Sequence, residues 1–161
     1  GSRRVAFEGM RDQNPVFSTS IELAGGKVYY RVEDQWINFN VSQIQLIGEF
    51  SAPPGVLAAD YFFSFKLREE GGPIDVPAYT DGLFQVLAGL KKMLPGLGSP
   101  VLQMETDFSS NVLYPAHVAG QRLYNFRSES SPVFDFPVLR NWAKKQVVVK
   151  HIRQEVLDLV Y

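Results

Sequence analysis

Residues 60–68 read DYFFSFKLR, and the adjacent phenylalanines inside a strand pattern constrain the fold more than any other feature of this chain. Phe63, Phe65 and Leu67 alternate with Ser64, Lys66 and Arg68, which is the period of a β-strand. Phe62 falls on the opposite phase. Successive strand side chains point to opposite faces, so both faces of this strand carry an aromatic ring. Such a strand needs a further layer packed on its far side, or a face that binds something. Tyr29-Tyr30 in KVYYRV (27–32) makes the same demand.

The surrounding sequence supplies partners for that strand. VFSTSIEL (16–23) alternates, and Gly25-Gly26 forms a turn into the strand at 27–32. A turn at Glu33-Asp34 leads into WINFNVSQIQLIGEF (36–50), which is too long for one ordinary strand. It reads as two strands joined at Ser42-Gln43, or as one bulged strand. Pro53-Pro54-Gly55 marks 51–60 as a loop, since proline has no amide hydrogen for a ladder. EEGG (69–72) connects the strand at 60–68 to PIDVP (73–77), and the two read as a hairpin.

An amphipathic helix follows at about 80–94. Leu83, Leu87, Leu90 and Leu94 recur at spacings of four, three and four and form one apolar stripe. Thr80 or Asp81 can cap its first turn, Lys91 and Lys92 suit its negative end, and Pro95 stops it. Gln85, Ala88, Lys91 and Lys92 read as a solvent face. Beyond it, VLQMETDF (101–108), VLYP (112–115) and QRLYNF (121–126) are strand candidates, and RSESSP (127–132) is a loop. Val149, Ile152, Val156 and Leu159 are spaced as on a helix, which favours a second helix from about Pro137 with a break near Lys144. The expected fold class is therefore α+β. A bent, mostly antiparallel sheet or partial barrel is closed by the helix at 80–94, with a second helix at the C-terminus. Residues 1–15 read as an arm whose Gly1-Ser2 is a tag remnant, and 16–161 as a single domain in which 97–161 forms an extension or part of a second, similar unit.

The chemistry indicated is sparse. Without cysteine, thiol catalysis, disulfides and zinc–thiolate sites are excluded. The formal net charge of −1 gives no basic excess for a nucleic-acid partner. GLGS (96–99) follows a helix instead of opening one, so it is no phosphate loop. No cofactor is expected. His117 has no triad context. His151 and Glu155 read as a solvated pair on one helix face rather than as two metal ligands. Basic residues are scattered, among them Lys144/Lys145 and Lys150/Arg153. No apolar run approaches the length of a membrane span, and a cytoplasmic location is the default expectation.

From 16 to 94 the element order, several antiparallel strands, the hairpin DYFFSFKLREEGGPIDVPAYTDG and then GLFQVLAGLKKML, resembles the bacterial pleckstrin-homology-like domains. The resemblance implies a scaffold or a binding module for proteins or lipids rather than an enzyme. It carries over no ligand residue.

Three functional classes follow. The favoured one is a non-catalytic binding or assembly module with a protein partner, itself or another. Tyr30, Trp36, Phe63, Lys66, Arg68 and His117 are its candidate surface. The second is a small-ligand-binding or enzymatic domain with an aromatic-lined cavity, for which Tyr30, Trp36, Phe63, His117 and Asp107 are candidates. The third is a lipid-surface module, which requires Lys66, Arg68, Lys91 and Lys92 on one rim.

Overall fold

The computed structural model describes residues 17–57, 59–69, 71–129 and 147–160. Within them the chain forms three antiparallel sheets and two helices. The first sheet, in the order β1-β2-β3, joins β1 (Thr19–Ala24), β2 (Lys27–Val32) and β3 (Gln35–Asn40). A single 3-10 turn at Val41–Gln43 separates β3 from β4 (Ile44–Ser51), so the long apolar run is two strands. The second sheet has the order β6-β5-β4-β7, with β5 (Tyr61–Leu67), β6 (Ile74–Pro77) and β7 (Ser109–Tyr114). The third pairs β8 (Tyr124–Glu129) with β9 (Val147–Ile152). The helices are α1 (Leu83–Met93) and α2 (Gln154–Val160). None of the sheets closes into a barrel.

The demand raised by Phe62-Phe63 is met by two layers. Phe63 and Phe65 join Ile21, Val28, Tyr30, Phe39, Leu83, Val86 and Leu90 in a core between the second sheet, the first sheet and α1. Phe62 faces the other way, into a core with Phe50, Val112, Leu123, Tyr124 and Val156. There it stacks on Phe50 with ring centroids 4.7 Å apart, while Tyr124 meets Phe50 edge-on at 5.4 Å. Both arrangements suit the ring quadrupole. All eight residues of β4 are buried as a result. A Cβ at Gly48 would collide with Leu123, so glycine is what lets the β8 layer lie this close.

Helix α1 forms where its stripe predicts, with Leu83, Val86, Leu90 and Leu94 buried. Its start differs from expectation. The residue that caps it is Gly82, at φ 88°, and no side chain caps the first turn. Thr80 and Asp81 are taken by β1 instead. The Thr80 and Thr19 hydroxyls share a 2.7 Å hydrogen bond, and Asp81 exchanges backbone bonds with Thr19 and Ile21. Gly82 then passes so close to the Ile21 carbonyl that no Cβ would fit, and its positive φ suits glycine.

The C-terminal part also departs from expectation. Residues 101–108 form no strand, and 147–152 is a strand where a helix was expected. Its ladder with β8 runs from Tyr124↔Ile152 to Glu129↔Val147. A β-branched run with a partner at hand is better satisfied by cross-strand pairing than by helical spacing. The helix begins only at Gln154, so His151 and Glu155 do not share a helix. The expected break near Lys144 lies outside the described residues.

Candidate functional site

The six residues singled out as a surface divide between layers. Tyr30 and Phe63 lie in the first core, and the Tyr30 hydroxyl donates to the Asp75 carbonyl at 3.3 Å. Lys66 is buried, with Nζ donating to the Leu67 and Glu69 carbonyls at 2.7 and 3.3 Å. Arg68 is exposed and donates from Nε to the Ser42 carbonyl at 3.2 Å. His117 sits on a 3-10 turn, where Nε2 donates to the Leu159 carbonyl of α2 at 2.8 Å. Asp107 accepts the Ser51 hydroxyl on its main-chain carbonyl at 2.7 Å. Trp36 stands apart, on the face of the first sheet away from the core and 60% exposed.

Two buried polar assemblies were not legible in the sequence. In the first, Lys150 of β9 reaches Asp75 of β6, with Nζ 3.1 Å from Oδ2 and 3.3 Å from Oδ1. Ser64 donates to Asp75 Oδ1 at 2.8 Å, and Tyr124 donates to the Ser64 hydroxyl at 2.8 Å. The ammonium also lies 4.0 Å from the Tyr124 ring centroid and 5.0 Å from that of Phe50. Lys150 and Asp75 are only 6% and 2% exposed. Burial pulls the Lys150 ammonium below its ordinary range while Asp75 opposes that shift. Burial, and then the Asp75 charge, hold the Tyr124 hydroxyl well above the usual phenol range. A serine, a lysine and a carboxylate in contact are the parts of a nucleophilic site. All are buried, with Asp75 Oδ2 meeting the Lys150 ammonium as an ion pair but accepting no hydrogen bond among the described residues, and the contacts join β5, β6, β8 and β9.

The second assembly centres on Glu49, fully buried in β4. Its carboxylate accepts the Tyr61 hydroxyl, the Asn111 amide at 2.9 Å and the main-chain amides of Val101 and Leu102 at 2.9 and 3.3 Å. This explains why 101–108, read as a strand candidate, runs as an ordered loop. Its first amides bond to a carboxylate instead of a ladder. Burial, reinforced by Glu49, drives the Tyr61 hydroxyl far above the phenol range.

The exposed candidate is the edge of β3. Glu33 N–H bonds to the Ser18 carbonyl, so the odd-numbered residues of the β2 segment turn their main-chain groups toward β1. Val28, Tyr30 and Val32 therefore bond to Phe39, Ile37 and Gln35 across β3. Trp36, Asn38 and Asn40 point their main-chain groups outward. The Asn40 amide is satisfied by Gln43 Oε1 at 2.7 Å. Among the described residues, no backbone bond covers Trp36 or Asn38. The other edges of the first two sheets are each engaged in part. Asp81 lines β1, Gly120 and Gln121 bond to Val112 of β7, and β6 contains Pro77 and gives its Asp75 carbonyl to Tyr30. The β3 sequence QWINFN has no charge and no proline, the usual devices that blunt an edge. Ile37, on the core face of this edge, is 39% exposed.

A shallow groove of about 130 Å³ also runs between α1 and the segment 97–100, lined by Leu87, Ala88, Lys91, Leu97 and Pro100. Among the described residues no three His, Asp or Glu gather as metal ligands, and no helix is long and apolar enough to cross a membrane. Comparison with protein-family models, curated proteins and solved structures finds no match to the chain.

Proposed function

We propose that this chain is a non-catalytic binding or assembly module acting through protein–protein contact, and that the outer edge of β3 is its contact strand. The observation that carries this reading is the uncharged β3 edge, where the outward main-chain groups of Trp36 and Asn38 have no partner among the described residues and the Trp36 and Ile37 side chains are exposed. An added strand would gain main-chain hydrogen bonds there and an aromatic and an aliphatic contact beside them. The internal polar groups support the same reading. Ser64, Asp75, Lys150 and Glu49 are spent on holding layers together, and of the candidates for an aromatic-lined cavity Tyr30 and Phe63 are packed in the first core while Trp36 is exposed on the outer face of the first sheet. A lipid rim that includes Lys66 is disfavoured, because its ammonium is turned onto main-chain carbonyls.

The test is a photo-crosslinking aromatic residue in place of Trp36, introduced in the cell that makes the protein. A covalent adduct of discrete mass is expected. It should disappear in an Asn38→Pro background, since proline removes an outward donor without touching the β2–β3 ladder. The reading fails if no adduct forms, or if the adduct survives that substitution.

A further inference from the structure

Resting on that reading, we infer that the occupant of the β3 edge is a second copy of this chain, paired antiparallel about a two-fold axis that passes between the two Ile37 residues. The first sheets of two chains then join into one continuous sheet.

Three features lead to this register. The first is charge. Gln35–Asn40 carries no ionisable side chain, so a two-fold axis, which sets a strand against itself, brings no like charges together. The second is the set of free main-chain groups. Within β3, Trp36 and Asn38 are the residues whose outward main-chain groups both lack a partner among the described residues, and they flank Ile37 symmetrically. Centred on Ile37, the axis sets Trp36 of each copy opposite Asn38 of the other, and each pair exchanges both of its hydrogen bonds. An axis centred on Asn38 instead sets Trp36 against Asn40, whose amide is already held by Gln43 and where the chain turns away into the 3-10 turn. The third is apolar surface. The Ile37-centred register packs the two half-exposed Ile37 side chains together at the rim of the first core. The paired segment is short, so the association is reversible and depends on concentration.

The absence of cysteine makes this register directly testable in the whole purified chain. Ile37 and its symmetry mate form a non-hydrogen-bonded pair, with Cα atoms about 4.5 Å apart. That separation lies within the range of about 4.4–6.8 Å that a disulfide spans. Ile37→Cys should oxidise to a covalent dimer under mild conditions. Gln35→Cys and Asn40→Cys, displaced from the axis, should stay largely monomeric. By light scattering, the wild-type mass should rise with concentration from 18.1 kDa toward twice that value. Ile37→Lys, which opposes two charges at the axis, should hold the monomer mass while its circular dichroism and Tm stay those of the wild type. A wild type that stays monomeric at every concentration, or equal cross-linking at all three positions, overturns the dimer. If the dimer fails while the adduct at position 36 persists, the strand edge serves a different protein. If both fail, the β3 contact itself is wrong.

Discussion

The strands β3 and β4 are separated by a single turn yet meet opposite environments. β4 lies at the centre of the second sheet with every residue buried, covered on both faces. β3 buries only Phe39. The contrast extends to polar groups. Around β4 and its neighbours, Glu49, Ser64, Asp75 and Lys150 sit inside the fold and bond across strands and layers, while the Gln45 side-chain oxygen is buried without a hydrogen-bond partner among the described residues. Around β3, neutral main-chain groups face outward without partners among the described residues. Buried polar groups must be satisfied within the fold, because the interior offers no water to replace a lost bond. Open groups at an edge lose little while water solvates them, and they remain available to another strand.

This contrast predicts unequal sensitivity, beginning with alkali. Tyr30, Tyr61 and Tyr124 are held protonated above the ordinary phenol range by burial. Unfolded tyrosines ionise near pH ~10. Above that pH the unfolded state binds fewer protons than the folded state, so stability falls as pH rises. Lys150 works in the opposite direction. Its folded value lies below the ordinary ~10.4, so between the two values the unfolded chain binds more protons and stability rises with pH. Two buried phenols and the partly buried Tyr61 against one ammonium leave a net loss. Urea midpoints should therefore drop steeply above pH ~10, and a flat profile there would show that the phenols are not buried as described.

Next in size is the ion pair. Lys150→Met strands the Asp75 carboxylate in the second core and should cost about 3–5 kcal/mol in denaturant unfolding. Adding Asp75→Asn should recover most of that loss. Equal instability of the double variant would mean that the lysine contributes by packing rather than by charge.

Glu49→Ala leaves the amides of Val101, Leu102 and Asn111 without their acceptor, at about 1–3 kcal/mol for a buried unsatisfied group. Hydrogen exchange at Val101 and Leu102 should accelerate ahead of the sheet amides. Uniform acceleration across β4 and β5 would place the loss in the core instead. The smallest effect belongs to the edge. Trp36→Ser, at an exposed site, should shift stability by no more than ~0.5 kcal/mol while reducing association. A larger loss of stability would show that Trp36 supports the monomer.

Reading from sequence worked where the signal is local. The 60–68 strand, the turns at Gly25-Gly26 and Glu33-Asp34, and the stripe of α1 all depend on residues close in the chain. It failed where two local signals competed. Val147-Val148-Val149 reads as a strand, while Val149, Ile152 and Val156 are spaced as a helix, and only the pairing with Tyr124–Glu129 decides between them. The polar phase of β5 misled in another way. Ser64 and Lys66 alternate as a solvent face would, but the far side of β5 is a core rather than solvent, and both are buried. Lys150 looked like one more solvated cation beside Arg153. Its partner Asp75 is 75 residues away in the chain, beyond the reach of any periodicity.

The order of strands and helix from β1 to α1, and the requirement that Phe62 and Phe63 both be covered, are written in the sequence by itself, because alternation and spacing fix which way each side chain points. The tertiary structure decided what does the covering. It placed β8, β9 and α2 over one face, paired Lys150 with Asp75 there, and left the edge of β3 bare. Those outcomes depend on contacts between distant segments, whose loop-closure entropy is offset only by burying many groups together.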